Sequence, residues 1–398
     1  MPNASKTPFD LFVPACSIKT SRGLIMVRNL IGFISLLVAL ATFCQSSAYA
    51  GFIENEFKKA IDKVKPSVVR VRSFKTHDEP NNPHIDLVES GSGVVVSDDG
   101  LIITAAHLIA VRRENALILP DVFDVMINDR IYVPAELIGY DEETDLGLLK
   151  IQEGGRLNLV PIPINQKNKI NPGQKVLVMG YAASFKLNLR SFSQGVIVNA
   201  GAYSGDLTTP FIVTDARTLH GNNGGPVINH KGELVGINSH FDNSGLGYSV
   251  PADIVVKMLP QLLKGGTVRT GWIGIYASYC INLESYYADF FLRSRADKFL
   301  ANHNLTLPKV KRGLMIMQID EPRMGDSDKI HLGDAILSLN GKAPIDEYDF
   351  VRQIIGAGPN AELAFEIERD GKVMHIKIRT GEFDWKHNVA TSEQVHQD

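Results

Sequence analysis

Cysteine is scarce in this sequence, with three among 398 residues. Cys16 and Cys44 lie in or before an N-terminal apolar run, which leaves Cys280 alone in the rest of the chain. A single thiol excludes an internal disulfide framework. Since nothing near it in the sequence would lower its pKa, we interpret Cys280 as a small buried hydrophobe rather than a reactive thiol.

An excess of charge of either sign is also missing. Lysine and arginine number 41 against 44 aspartates and glutamates, for a formal net charge of −3. Because the sequence has neither an excess of basic residues nor a polybasic tail, it favours neither nucleic acid nor an anionic membrane as a partner. Peptides and proteins are the partners that remain. With 44% apolar and 21% charged residues, the composition is that of a globular protein, and its length allows roughly two or three domains.

A long apolar segment is absent at the N-terminus. The run over residues 30–43 has about 14 residues, short of the roughly 20 that span a bilayer. It follows Arg28 and precedes "CQSSAYA", which ends at Ala50. This order of a basic residue, an apolar run and small residues is typical of a secretory signal peptide, cleaved here before Gly51.

Met26 stands directly before this pattern. We therefore predict a signal peptide over residues 26–50 and interpret residues 1–25 as an N-terminal extension or an over-called start. If residues 1–25 are translated, an uncleaved membrane anchor becomes the alternative. A lipid on Cys44 is a weaker alternative, because the residues before it lack the small side chains of a lipid-attachment signal.

Short strand-like runs fill the next part of the chain, after an amphipathic helical pattern over residues 54–64. Glycine, aspartate, asparagine and proline separate them. The runs are SVVRVRS, SGVVVS, LIITAAH, DVMIN, LGLLKI, KVLVMGY, QGVIVNA, FIVTD, GPVIN and ELVGIN. Many short strands without intervening helices predict an all-β barrel or sandwich.

A change of pattern marks a domain boundary near Gly266. The segment "PADIVVKMLPQLLKGG" has apolar residues at helical spacing, with Pro260 as a predicted kink and Gly265–Gly266 as the stop. After it come "GWIGI", a helical stretch over about residues 283–302, the helix-like "EYDFVRQII" and several strand patterns. These predict a compact second domain of mixed α and β structure, followed by a polar tail over residues 384–398.

Three polar residues of the first domain are candidates for a reaction centre. His107 ends the apolar strand "LIITAAH", Asp145 directly precedes the strand "LGLLKI", and Asn223 lies in the glycine-rich turn of "TLHGNNGGPVIN". A general base, a carboxylate that orients it, and a turn that presents backbone N–H groups are parts of an acyl-transfer site. The nucleophile is missing, because an amide has no hydroxyl proton for a base to remove.

These segments resemble successive blocks of the HtrA (Deg) family of exported trypsin-like serine proteases. The similar blocks are GSGVVVSDDGLIITAAHLI, TDLGLLKI, TDARTLHGNNGGPVINHKGELVGIN and GYSVPADIV. "RTGWIGI" and "HLGDAILSLNG" are similar to peptide-binding segments of the PDZ domain that follows the protease domain in that family. The resemblance implies a mainly β fold, with a trypsin-like double β-barrel over residues 51–266 and an α+β PDZ domain over residues 267–383.

The resemblance also implies roles for single residues. His107 would be the general base, Asp145 its orienting carboxylate, and Asn223 the degenerate nucleophile position. The backbone N–H groups of Gly221 and residue 223 would form the oxyanion hole. This sequence departs from the family at Asn223 itself and at Leu219–His220, where Asn-Pro usually precedes the turn.

The resemblance further implies where polypeptides would bind. In the first domain the strand over residues 236–240 would line a substrate groove, with residues 247–249 near the primary specificity pocket. In the second domain the "WIGI" loop would capture a chain-terminal carboxylate through its backbone N–H groups, while the strand beside it accepts a peptide strand. The residues of this loop are Trp272, Ile273, Gly274 and Ile275.

A centre without a serine has two chemical alternatives. Thr218, Ser191 and Ser193 carry the nearest hydroxyls in the relevant loops, but none lies in a turn that aims it at a base. His107, Asp145 and His220 would suit a transition metal if they converged. No closely spaced histidine pair supports that arrangement, so no metal and no cofactor are predicted.

We therefore expect an exported HtrA-like pseudoprotease of the periplasm that binds polypeptides as a scaffold, regulator or chaperone-like factor in envelope protein quality control. The predicted partners are unfolded or C-terminal segments of proteins and an active HtrA homologue, and a homo-oligomer is expected by resemblance. The alternative is an active HtrA-type serine endopeptidase that degrades misfolded periplasmic proteins. In that case residue 223 is a knock-out, a sequence error or a bypassed position.

Overall fold

The computed structural model describes residues 57–77, 84–113, 116–152, 154–164, 170–182, 190–202, 209–275, 280–319 and 325–382. All of them belong to one structural unit, which begins at Phe57. The predicted signal peptide and the polar C-terminal tail lie outside the described residues. Among the helices of the described residues, none is long and apolar enough to cross a membrane.

A six-stranded barrel spans residues 68–151 of the described chain. Its strand order is β7-β6-β1-β2-β3-β8, and it closes because β8 pairs with β7 as well as with β3. Valine, isoleucine and leucine from alternate positions fill its interior. The strands of this part of the chain, including the separate β4–β5 ribbon, are β1 (Val68–His77), β2 (His84–Val95), β3 (Leu101–Ala105), β4 (Val111–Arg113), β5 (Ala116–Ile118), β6 (Val122–Ile127), β7 (Ile131–Asp141) and β8 (Leu146–Ile151).

A second six-stranded barrel follows, in the closed order β10-β11-β14-β13-β12-β9. The two barrels confirm the predicted trypsin-like double β-barrel. The sequence patterns missed β7, whose Pro134 is a strand-breaking signal in an otherwise paired strand. The strands of the second barrel are β9 (Lys175–Tyr181), β10 (Arg190–Ala202), β11 (Phe211–Thr214), β12 (Pro226–Ile228), β13 (Leu234–Phe241) and β14 (Gly247–Pro251).

Two helices pack against the barrels. Residues 57–64 form helix α1, which ends before the 3-10 turn Lys65–Ser67. Helix α2 (Ala252–Leu262) buries its apolar face and continues through Pro260, so that proline does not end it. The predicted stop is present, since α2 ends just before Gly265 and Gly266, which both have positive φ. Strand β15 (Gly266–Thr267) then adds to the first barrel, parallel to β7.

The rest of the described chain is an α+β region, with the mixture of helices and strands that the sequence predicted. Five antiparallel strands form a sheet in the order β17-β18-β19-β20-β21, and β16 pairs separately with β22. The predicted helical stretch is two helices, because Asp289 interrupts it and its side chain caps the second helix. The elements are β16 (Gly271–Trp272), β17 (Cys280–Asn282), α3 (Leu283–Ala288), α4 (Phe290–Asn302), β18 (Leu314–Ile316), β19 (Ala335–Leu339), α5 (Glu347–Ile354), β20 (Glu362–Arg369), β21 (Lys372–Arg379) and β22 (Gly381–Glu382).

The glycine pair Gly224–Gly225 allows a turn of the second barrel to lie against the first. A Cβ atom on Gly224 would stand 2.1 Å from the Ser92 carbonyl oxygen and 2.4 Å from Thr104 Oγ1. On Gly225 it would stand 2.2 Å from the Met179 carbonyl oxygen. Gly224 also has φ +81°, a conformation that L side chains rarely adopt. Only glycine therefore permits this approach.

We expect Gly224→Ala to lower the free energy of unfolding by at least roughly 3 kcal/mol, because the new methyl group meets backbone at a strained φ. Gly173→Ala is the matched control, since Gly173 has φ +80° but no atom within 4 Å of the added Cβ. The control should cost about 1 kcal/mol, from backbone strain alone. Urea denaturation measures both values, and equal costs would show that the close approach is not real.

Candidate active site

A histidine and an aspartate meet between strands β3 and β8. His107 lies on the 3-10 turn Ala106–Leu108 directly after β3, which ends at Ala105, two residues earlier than predicted. Its Nδ1 atom is 3.0 Å from both carboxylate oxygens of Asp145, and its backbone N–H donates to Asp145 Oδ1 at 3.0 Å. The Ser239 hydroxyl donates to Asp145 Oδ2 at 2.5 Å. The carboxylate thus fixes both the backbone and the ring of His107.

A second carboxylate holds the turn that carries Asp145. Asp145 has φ +52°, a left-handed conformation that aspartate tolerates better than most residues. Buried Asp141 accepts from the Thr144 N–H at 3.1 Å and from the Thr144 hydroxyl at 2.6 Å. It also accepts from the Thr270 hydroxyl at 3.1 Å. These bonds stabilise the reversal between β7 and β8 and hence the position of Asp145. Burial raises the pKa of Asp141.

Opposite charges dominate the electrostatics of the His107–Asp145 pair. Burial alone would lower the pKa of His107, but the facing carboxylate outweighs it, so this pKa is raised above its ordinary value. Burial alone would raise the pKa of Asp145, but the facing imidazole and the hydrogen bonds lower it. The His107 side chain is 40% exposed, so water screens part of this attraction. The pair has the arrangement of a base and its orienting carboxylate.

Asn223 fills the position that faces the other ring nitrogen of His107. Its Nδ2 atom lies 3.2 Å from His107 Nε2, and its Oδ1 atom accepts from Asn238 Nδ2 at 3.1 Å. The Thr218 hydroxyl lies 3.3 Å from Asn238 Oδ1. With Nδ1–H donating to Asp145, His107 Nε2 is an acceptor and the Asn223 amide is its donor. A continuous hydrogen-bonded chain therefore runs from Thr218 to Asp145.

The turn around Asn223 is anchored to the first barrel. The Ser92 hydroxyl donates to the Gly221 carbonyl at 2.6 Å, and the Ser92 N–H donates to the Asn223 carbonyl at 2.8 Å. Within the turn, the Asn222 N–H donates to the Leu219 carbonyl at 2.9 Å. Among the described residues, none accepts a hydrogen bond from the N–H of Gly221 or Asn223. Two such N–H groups can hold a carbonyl or anionic oxygen.

Three polar residues that complete this centre are not singled out by the sequence. Ser92, Asn238 and Ser239 are buried, and each donates or accepts a hydrogen bond that fixes the turn, Asn223 or Asp145. Asn238 and Ser239 are visible in the sequence only as the polar pair that follows "GI" in "ELVGINSH". That segment was predicted only to line a groove. A serine within "GSGVVV" carries no comparable signal, because its partners are backbone atoms far away in the sequence.

In the described part of the chain, neither the metal site with His220 nor a substitute hydroxyl beside His107 is assembled. The His220 ring packs edge-on against Phe241, with centroids 5.0 Å apart. Its ring nitrogens are not grouped within 4.8 Å of donor atoms of His107 and Asp145 among the described residues. The Ser191 hydroxyl lies 2.7 Å from Asn222 Oδ1, and the described hydroxyls make no hydrogen bond to His107 Nε2.

The "WIGI" residues contribute backbone rather than side chains to any binding surface. Trp272, Ile273 and Ile275 are buried, and Gly274 has φ +74°. Among the described residues, none accepts a backbone hydrogen bond from the N–H of Ile273, Gly274 or Ile275. Residues 276–279, which continue this loop, lie outside the described residues. Strand β17, which comes next, is at the edge of the five-stranded sheet.

Comparison with known proteins places the chain in a family. The trypsin-like peptidase domain family matches residues 91–237. The serine endoprotease DegS of Haemophilus influenzae is 30% identical over 339 residues, which cover 82% of this chain and 88% of DegS. The chain belongs to the HtrA (Deg) family of trypsin-like serine proteases. A second HtrA-family relative, the probable periplasmic serine endoprotease DegP-like of Pseudomonas putida (strain GB-1), is 32% identical over 298 residues.

The extent of these similarities differs between relatives. The match to the DegP-like protein covers 73% of this chain and 56% of that protein, so the HtrA-family chain spans little more than half of it. Among solved structures, the serine endoprotease from Yersinia pestis is similar with a TM-score of 0.51 and 25% identity, over 82% of this chain and 98% of that one. The HtrA-type protease AlgW with decapeptide has a TM-score of 0.57 and 21% identity over the same shares, which shows the common fold.

We expect Asp145→Asn to lower the pKa of His107, because the substitution removes the facing negative charge and leaves the burial in place. The sign follows from the raised pKa: the His107–Asp145 attraction is fully present below the ordinary pKa of histidine and is lost as the pH rises through the raised value. Titration of the His107 ring signals by NMR measures the change, with exposed His375 as the internal control. An unchanged His107 pKa would contradict the assigned ion pair.

Proposed function

We propose that this HtrA-family chain binds polypeptides in the cell envelope and does not cleave them through an acyl-enzyme. The observation that carries the proposal is the Asn223 amide, held between His107 Nε2 at 3.2 Å and Asn238 Nδ2 at 3.1 Å. An amide, which has no hydroxyl, occupies the position from which a nucleophile would hydrogen-bond to the base. Both polar side-chain atoms of Asn223 are hydrogen-bonded. This supports a stable place for the amide at the nucleophile position.

The chemistry that remains is too weak for a protease. In subtilisin, loss of the nucleophilic serine lowers kcat roughly 10⁶-fold, and binding plus oxyanion stabilisation leave on the order of 10³ to 10⁴ over water. An amide nitrogen is a poor nucleophile because its lone pair is delocalised into the carbonyl. His107 can polarise the Asn223 N–H, but that gives no alkoxide. The centre is better suited to holding a carbonyl oxygen than to attacking the carbonyl carbon.

Two features support polypeptide as the ligand of the barrels. The N–H groups of Gly221 and Asn223 have no acceptor among the described residues, which suits a peptide carbonyl. Strand β13 carries residues 236–240 past Asn223, where the proposed groove runs. The structurally similar HtrA-type protease AlgW was solved with a decapeptide and with a tripeptide. A bound peptide would lie across the turn without being cut.

The α+β region is proposed to be a PDZ domain that captures chain ends. The backbone N–H groups of residues 273–275 have the form of a carboxylate-binding loop, and edge strand β17 can accept an added peptide strand. Helix α5 lies beside that edge, where the Glu347 carboxylate accepts from the Asn282 N–H at 2.8 Å. The proposed domain limits are residues 51–266 for the protease-like domain and 267–383 for the PDZ domain.

The proposed setting is the periplasm. Relatives of this chain are named periplasmic serine endoproteases, and residues 26–50 have the pattern of a signal peptide. The proposed partners are unfolded or C-terminal segments of proteins, an active HtrA homologue and further copies of this chain. A role as scaffold, regulator or holding factor in envelope protein quality control needs no cofactor.

The retained His107–Asp145 pair favours one alternative, an active serine endopeptidase in which residue 223 is altered or bypassed. We expect the native chain to remain unlabelled by a fluorophosphonate probe, which reacts with activated serines. Asn223→Ser should gain labelling and cleave an unfolded protein, because the base and its carboxylate are already in place.

Asn223→Ala and the double variant Asn223→Ser/His107→Ala are the controls, and both should stay unlabelled. Labelling of the native chain would refute the proposal and support the endopeptidase. If Asn223→Ser is neither labelled nor able to cleave, the Leu219–His220 segment holds the turn in a shape unsuited to catalysis. The proposed binding role then stands.

We expect the chain to bind a peptide with a free C-terminal carboxylate at least roughly tenfold more tightly than the same peptide with an amidated end, since loss of a charge-assisted hydrogen bond costs about 1.5–3 kcal/mol. Fluorescence anisotropy with labelled peptides measures both affinities. The amidated peptide is the matched control for side-chain contacts. Equal affinities would show that residues 273–275 do not capture chain ends.

A further inference from the structure

A second group of titratable side chains lies at the outer end of the β1–β2 hairpin. We propose that His77, His84 and Asp86 form a binding site for a divalent transition metal of the Zn²⁺ class. The three residues offer two imidazole nitrogens and one carboxylate oxygen that all lie within 4.8 Å of one another. The proposal is independent of any polypeptide-binding role, because it uses neither the barrel turn nor the "WIGI" loop.

The strand register brings the three side chains to one face. The antiparallel ladder pairs His77 with His84, and Lys75 with Asp86. Directly paired residues share a face, and residues two apart on one strand do so as well. His77, His84 and Asp86 therefore lie on the same side of the hairpin. The two imidazole rings are stacked, with centroids 4.7 Å apart and an interplanar angle of 10°.

The distances fit a metal with little adjustment. The Nε2 atoms of His77 and His84 lie 3.5 Å and 3.8 Å from the same atom, Asp86 Oδ2. In a tetrahedral zinc site with bonds of about 2.0–2.1 Å, neighbouring ligand atoms are roughly 3.3–3.4 Å apart. Both contacts exceed this separation by only a few tenths of an ångström. The two rings must also turn out of their stacked arrangement, because an imidazole nitrogen binds a metal in the plane of its ring. Rotation of the partly exposed His77 and His84 side chains would then close the site around an ion.

The neighbouring cation does not compete for Asp86. Lys75 projects from the same face, but its ammonium lies 3.0 Å from Asp121 Oδ2 and donates to the Leu119 carbonyl at 3.2 Å. Those two partners hold the Lys75 ammonium on the side of β1 that pairs with β6, not on the side that pairs with β2. Among the described residues, the ion-pair partners of the Asp86 carboxylate are the two histidines, an arrangement that a shared ion would bridge.

The donor set selects the class of ion. Two imidazoles with one carboxylate suit Zn²⁺, Co²⁺, Ni²⁺ or Cu²⁺, whereas Mg²⁺ and Ca²⁺ prefer oxygen ligands throughout. The side chains are 36% to 64% exposed, so water can reach the ion and supply a fourth ligand. A bound ion would join β1 to β2 at the hairpin end. The other end of β2 holds the barrel turn through the Ser92 N–H bond to the Asn223 carbonyl.

Isothermal titration with ZnCl2 on the full chain tests the site. The native chain is expected to bind one Zn²⁺ ion with a matching rise in Tm, and Co²⁺ should give the visible absorption of a tetrahedral nitrogen and oxygen site. His84→Ala and Asp86→Asn should each weaken Zn²⁺ binding at least roughly tenfold. His375→Ala, which removes an exposed strand histidine elsewhere, should bind as the native chain does.

Asp86→Asn keeps the side-chain shape, so it tests the site even if His84→Ala unfolds the hairpin. Absence of Zn²⁺ binding by the native chain would overturn the proposal. Equal binding by the native chain and Asp86→Asn would overturn it too, because the ion would then lie elsewhere.

Discussion

The hydrogen bond between the Asn223 amide and the His107 imidazole is the contact on which the functional account depends. It exists because two barrels present residues to one point: β3 ends beside His107, and the turn before β12 carries Asn223. The carboxylate of Asp145 orients the ring from the other side at 3.0 Å. The result is an imidazole that a carboxylate holds at Nδ1 and whose Nε2 atom faces an amide.

That contact in turn depends on how closely the barrels approach. Ser92 of the first barrel holds the turn of the second through the carbonyls of Gly221 and Asn223, and a side chain on Gly224 would collide with the Ser92 carbonyl. The glycines therefore matter for packing whether or not a nucleophile is present. This explains why the turn sequence can keep its glycines and proline while its central residue differs from serine.

Much of the fold follows from local pattern, and much of the site does not. The apolar runs "LGLLKI" and "KVLVMGY" predicted β8 and β9 with their observed ends, and the Gly265–Gly266 stop agrees with the end of α2. Strand β7 was missed because Pro134 argues locally against a strand, whereas pairing on both sides keeps it in the barrel. His107, Asp145 and Asn223 could be singled out because each lies next to a recognisable strand or turn. Asn238 and Ser239 could not, since their roles come from contacts between distant segments.

The central claim is that no attacking atom faces His107. Incubation of the native chain with an activated peptide ester, an acid quench and intact mass spectrometry would test it most directly. The account predicts a single mass, that of the unmodified chain, at every time point. A peptide acyl group on any residue of the native chain, located by fragmentation, would contradict it.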